Sequence, residues 1–389
     1  MRAFYANAVW LEFVAEGPGC EVPRKKLLIA GVSGLVGGAA LTRFANRDDW
    51  AVIGVSRRKP WVPLGNAIHL PLDLLDREAC NAVLSRMGDV HYVIFAALNE
   101  REDDIFAGWS DPQQIAKNDA MLRNLFDPLV EVATDFRQIS ILHGGKAYGV
   151  HVPNYRVMLP MYEDAPRHPG DNFYYRQHDY IAARQRLTAW SWTIFRPGPI
   201  FGVAVGASMS PLIVLVVLAT LMREAGEVLP MPDGRSELIE PSDADVIAEG
   251  LEWAMTAPAA RNEVFNINNG DLLSRFEAFP VVARCMGMKL GSPRHYDINH
   301  EIARLSGLWP DIVRKHRLNA PADLGEFLGT SLQVARGWTT DTAPENILRS
   351  GFSSNIKIRQ AGFHACIDNR AMLEKHIRRM QALRMLPAT

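Results

Sequence analysis

What the chain has little of narrows the reading at once. Four cysteines in 389 residues, at positions 20, 80, 285 and 366, form no CxxC pair and no dense disulfide framework, so neither a zinc module nor a cystine-stapled secreted scaffold fits, and a reducing, cytoplasmic setting is expected. Charge of one sign is also missing, with 42 Lys plus Arg against 43 Asp plus Glu. That balance gives no global pull toward nucleic acid or an anionic membrane. The most apolar run, Leu212 to Met222, is about half of the ~20 residues that span a bilayer, and reads instead as a buried helix or a subunit contact, which makes a homodimer conceivable. No repeat or low-complexity tract is present. Eleven histidines show no HxxxH or HExxH pairing, so no metal is expected and they are assigned to surface or core. The N-terminal stretch carries Glu12 and Glu16 and no clear small-residue cleavage site, so residues 1–24 read as an extension rather than a signal peptide.

What is there is a regular alternation. From Lys25, short β-branched runs alternate with longer helical stretches: KKLLIAGV, then 51–56, 66–73, 90–97, 136–142, 191–197 and 263–268. Strands alternating with helices predict a parallel sheet covered on both faces, a Rossmann-type doubly wound α/β fold. Beyond about Leu272 the pattern turns helical, ending in the basic amphipathic NRAMLEKHIRRMQAL. The expected organisation is a dinucleotide-binding domain over 25–200, with the strand near 263–268 returning to its sheet, and a smaller, mainly helical substrate region over 201–389. Lys375, Arg378 and Arg379 read as a solvated helix face.

The first strand runs into Gly31-Val-Ser33-Gly34-Leu35-Val36-Gly37. Glycines at a strand-to-helix turn let the backbone approach a pyrophosphate, whose charge the helix N-terminus stabilises. The second strand ends in Ser56-Arg57-Arg58, with no carboxylate at its tip. Guanidiniums there accommodate a 2′-phosphate where a carboxylate would bind the 2′-hydroxyl, so NADPH is favoured over NADH. Asp73 and Ala97, at the ends of the third and fourth strands, complete the expected nucleotide side.

An ordinary short-chain dehydrogenase would carry Tyr-x-x-x-Lys, but Tyr174, Tyr175 and Tyr180 are followed four residues later by His178, Asp179 and Arg184. Other segments offer chemistry: His143-Gly-Gly-Lys146 after the fifth strand, and Asn172-Phe-Tyr-Tyr175 at a helix start. Together with Arg196-Pro197, Ile200-Phe-Gly202 and the 242–249 segment SDADVIAE, these motifs resemble the progesterone 5β-reductase and iridoid synthase family of extended short-chain dehydrogenases, over roughly residue 25 to the C-terminus. The resemblance implies NADPH-dependent 1,4-reduction of activated enones. It assigns Tyr175 as the phenol that stabilises the enolate oxygen and binds near the cofactor, and Lys146 as its assistant. By the same analogy Pro199 and Ile200 face the nicotinamide carboxamide, and Ser208 and Met209 line the substrate side. Tyr174, on a neighbouring helical position, is expected to pack. The alternatives are a carbonyl reductase, a sugar-nucleotide epimerase, or a non-catalytic NADP(H)-sensing regulator.

Overall fold

The computed structural model describes residues 24–234, 238–339 and 351–389, so the extension over 1–23 lies outside the described residues. Its frame is β1 (Lys25–Ala30), α1 (Leu35–Phe44), β2 (Trp50–Ser56), β3 (Ile68–Pro71), α2 (Arg77–Leu84), β4 (Tyr92–Phe95), α3 (Pro112–Val130), β5 (Gln138–Leu142), α4 (Phe173–Gln185), β6 (Ser191–Pro197), α5 (Pro211–Glu224), α6 (Ala244–Ala254), β7 (Glu263–Ile267), α7 (Arg275–Cys285) and α8 (Asn369–Ala382). The strands form one 7-stranded sheet in the order β3-β2-β1-β4-β5-β6-β7, every pair parallel. This is the doubly wound α/β arrangement that the alternation predicts, with β7 returning beside β6.

Strands buried on both faces must be largely apolar, and the LLIA of β1, the YVIF of β4 and the central residues of β6 meet that demand. One face packs against α2 and α3 through Leu84, Leu122 and Phe126; the other receives α1 and α6 through Ala40, Phe44, Ile247 and Leu251. A third core forms around α5, whose residues Leu212 to Met222 are all buried by the chain itself. The apolar run is therefore a central rod of the C-terminal region, which corrects its reading as a subunit contact. Among the described residues no helix is long and apolar enough to cross a membrane.

The cores are not separate. Ile358 and Phe363, close to the C-terminus, are buried against Phe195, Ile267 and α6 on the face of the sheet. The basic face of α8 is solvated at Arg378, as expected, but ion-paired at its other two cations: Lys375 bonds Asp243 and lies 2.8 Å from Asp245, and both terminal guanidinium nitrogens of Arg379 reach Asp245 at 2.9 Å. Arg378 donates to the Cys285 carbonyl at 3.3 Å. Lys375 and Arg379 meet carboxylates at the start of α6, which periodicity along α8 cannot reveal.

Candidate active site

Outside the carboxyl ends of the strands lies a cavity of about 1390 Å³, the place where open parallel sheets bind ligands. One end is the glycine turn. Gly31 has φ +85°, and a Cβ there would sit 2.6 Å from the Ala96 carbonyl of the neighbouring strand, so no side chain is accommodated. A Cβ on Gly37 would fall onto the Gly31 carbonyl. Gly37 therefore seats α1 against the turn and is not on the cavity wall, a correction to its place among cofactor contacts. Ser33, Gly34, Leu35 and Val36 are on the wall. No side chain caps the N-terminus of α1 and no acidic residue occupies its first turn, leaving the first amides and the dipole for an anion.

At the end of β2, the Ser56 hydroxyl donates to the Arg58 carbonyl at 2.6 Å, folding the strand tip back. Arg57 and Arg58 are exposed on the rim of the cavity, and Arg58 Nη2 donates to the Gly206 carbonyl at 2.8 Å. Asp73 lines the same end while its Oδ1 accepts the Leu75 amide at 3.0 Å, so the carboxylate also shapes a turn. The uncapped helix end and the two exposed guanidiniums form a donor set suited to a dinucleotide bearing several phosphates. Ala97, Pro199, Ile200, Ser208 and Met209 all line the cavity.

The other end is built by Asn172. As N-cap of α4 its Oδ1 accepts the Tyr174 amide at 2.9 Å, while its Nδ2 donates to the Lys146 carbonyl at 2.9 Å. One side chain thus fixes the phase of α4 and ties it to the turn after β5. That phase decides between the adjacent tyrosines. The Tyr175 hydroxyl donates to the Ala147 carbonyl at 2.8 Å and accepts the His168 amide at 3.0 Å, and Tyr175 is absent from the cavity wall. Tyr174 is on the wall, and its hydroxyl has no hydrogen-bond partner among the described residues; it lies 3.6 Å from where a Cβ on Gly144 would be. Tyr174 packs against Phe173 and His143 as expected but also reaches the cavity wall, where Tyr175 was expected and is not, because neighbouring helical positions face different ways and the sequence does not say which faces in.

Lys146 is on the wall and buried, its Nζ 3.2 Å from Glu100 Oε1. Three aromatic rings surround the ammonium: Trp109, Phe173 and Tyr174, with centroids at 4.8, 5.1 and 5.5 Å. Burial pulls the Lys146 pKa below the usual lysine value, and Glu100 opposes that pull. Burial and the Glu100 charge both hold the Tyr174 phenol above its usual value, keeping it protonated. Against the Tyr174 ring lies the His143 imidazole, stacked at 4.3 Å and 18°; burial and then Arg196 push its pKa well down, so it is neutral.

Glu100, Trp109 and His143 were not singled out from sequence. A signal existed for Glu100, which follows the carboxyl end of β4, but its partner is 46 residues away. The roof over this end is held by Gln333, whose Oε1 accepts the Ile105 amide and whose Nε2 donates to the Glu102 carbonyl, each at 2.9 Å.

A parallel sheet of this order with a glycine turn under an uncapped helix defines a dinucleotide-binding enzyme class, and residues 27–268 match the NAD dependent epimerase/dehydratase family. The chain belongs to that family. It is 27% identical over 383 residues to an (S)-8-oxocitronellyl enol synthase of Nepeta racemosa, covering 93% of this chain and 91% of the relative. It is 29% identical over 309 residues to the 3-oxo-Delta(4,5)-steroid 5-beta-reductase of Arabidopsis thaliana, covering 75% and 77%. Among solved structures, the UDP-glucose 4-epimerase of Thermotoga maritima superposes with a TM-score of 0.62 at 15% identity, covering 92% of this chain and 99% of that one, a likeness of fold.

Proposed function

We propose that the protein is an NADPH-dependent reductase of activated enones, acting on the C=C bond conjugated to a carbonyl. The observation that carries the reading is Tyr174: a protonated phenol, without a partner among the described residues, opening into a cavity that runs on from the dinucleotide turn. The similarity to an enol synthase and a steroid 5-beta-reductase supports the same chemistry.

When bound, NADPH supplies hydride to the β-carbon of the enone. The negative charge that develops on the carbonyl oxygen is met by the Tyr174 hydroxyl, placed in advance on the cavity wall. Phe173, Trp109 and the buried Lys146–Glu100 pair exclude water on that side. The α-carbon takes its proton from solvent. Arg57 and Arg58 hold the 2′-phosphate, and Ser208 and Met209 contact the substrate. The separated cysteines, of which Cys80, Cys285 and Cys366 are free thiols, support a cytoplasmic location.

The test follows NADPH absorbance with 2-cyclohexenone, progesterone and an unsaturated dialdehyde, beside saturated ketones and NADH. Oxidation with enones alone is expected. Oxidation with saturated ketones would make the protein a carbonyl reductase, and binding without any oxidation would make it a cofactor sensor.

A further inference from the structure

The geometry points to Glu100 as a positioning residue of this reaction: it holds the Lys146 ammonium in its aromatic cage and cancels the positive field that the ammonium would otherwise exert on the Tyr174 phenol. The inference rests on the enone-reductase reading. Glu100 lies just past β4 with a side chain only 3% exposed, facing a Lys146 side chain that is 9% exposed. Its Oε1 also accepts the Trp109 indole N–H at 3.3 Å, so the carboxylate fixes one wall of the cage as well as its occupant. An ammonium surrounded by three rings and shielded from water needs a counter-ion to remain charged. Glu100 is the group that supplies it.

The consequence is chemical. In a Tyr-x-x-x-Lys pair the lysine stands uncompensated and lowers the phenol pKa, which suits proton delivery to a strongly basic alkoxide. Here the pair Lys146–Glu100 is neutral as a whole, and the phenol stays protonated. An enolate oxygen is far less basic than an alkoxide, so a hydrogen bond from a neutral phenol is what its formation requires. Glu100 thereby biases the site toward C=C over C=O reduction. The ionisable groups around the pair are these: Glu102 shares the loop of Glu100, His151 on the turn after β5 is pushed down to about 4 chiefly by burial, then by His168 and last by Lys146, and Tyr174 faces the pair from α4.

The experiment compares kcat against pH for wild type, E100Q, E100D and the double variant E100Q/K146M. Without Glu100 both Lys146 and Tyr174 release their protons at lower pH, so the alkaline fall of kcat sets in at lower pH in E100Q than in wild type. E100D, which keeps the charge, restores the wild-type limb. In a K146M background E100Q removes only the direct field of Glu100 on the phenol, so its displacement of the limb is smaller than in the presence of Lys146; this neutral pair also folds without an unpaired buried charge. An E100Q limb that coincides with wild type, whatever its effect on melting temperature, would overturn the inference. A second readout needs no turnover: 15Nζ-lysine NMR, with the Lys146 signal assigned by its loss in K146M, follows its ionisation directly. Wild type inactive on every enone, with the Lys146 titration still moved by E100Q, sinks the reductase reading and leaves the coupling standing; an unmoved titration sinks the coupling itself.

Discussion

His376 Nε2 stands 2.9 Å from Asp243 Oδ1 with both side chains wholly buried, joining α8 to the residue that caps α6. The same Oδ1 accepts the Asp245 amide at 2.9 Å, and Lys375 reaches both carboxylates. Burial raises the Asp243 carboxyl, but His376 and Lys375 outweigh it and leave the pKa below the ordinary value; Asp245 is held at about 2 by Arg379 and Lys375 against the same opposing burial. A carboxylate depressed in the folded state contributes stability that is complete above its unfolded pKa and is lost as pH falls through the folded one. Acid unfolding should therefore steepen between about pH 4 and pH 2. Asp243→Asn removes one partner of a buried cluster and should cost about 3–5 kcal/mol at pH 7 by urea unfolding, a deficit that shrinks toward pH 2.

The strand-tip arginines give a cofactor prediction. A charge-assisted bond to phosphate contributes about 1.5–3 kcal/mol, so Arg57→Ser should weaken NADPH binding by about tenfold to a hundredfold while changing NADH binding little. Isothermal titration with both nucleotides checks this. Arg57 is the cleaner choice, because Arg58 also bonds Gly206.

Gly37→Val puts a side chain against the Gly31 carbonyl and pushes α1 from the turn. Both dinucleotides should then bind at least about tenfold more weakly, since the helix N-terminus that meets the pyrophosphate is displaced for each alike. Thermal shift in the presence and absence of NADPH measures it, and preserved binding would remove the turn from the proposed site.

The two tyrosines should part cleanly. Tyr174→Phe removes the donor to the enolate oxygen and should lower kcat by about a hundredfold to a thousandfold. Tyr175→Phe leaves the Ala147 carbonyl and His168 amide without their partner, costing about 1–3 kcal/mol of stability with kcat near wild type. Stopped-flow NADPH oxidation beside urea unfolding separates the pair; the opposite pattern would restore Tyr175 to the chemistry.

The sheet was legible because its strands, the half-exposed edge strand β3 apart, are short buried runs between turn signals, and β7 announces itself as EVFNI even after the long segment that follows Pro197. The glycine turn and the arginine tip are likewise local. What sequence could not give is orientation and pairing at a distance. The facing of Tyr174 depends on the Asn172 cap, the charge state of Lys146 on Glu100, and the pairing of Lys375 and Arg379 on carboxylates some 130 residues earlier in the chain. The boundary near residue 200 was drawn where the strand pattern ends, yet the packing ignores it.

Phe363 shows why. Its ring lies 5.6 Å from that of Trp253, and it is buried with Ile358 against the face of the sheet. A chain emerging from a ribosome has made every strand of the seven-stranded sheet by Ile267 but still lacks the side chains that seal one face of it. The nucleotide half is thus no detachable cassette: completion waits until Ile358 and Phe363 have been made, and a chain cut short before Phe363 should be a client of chaperones rather than a smaller working protein.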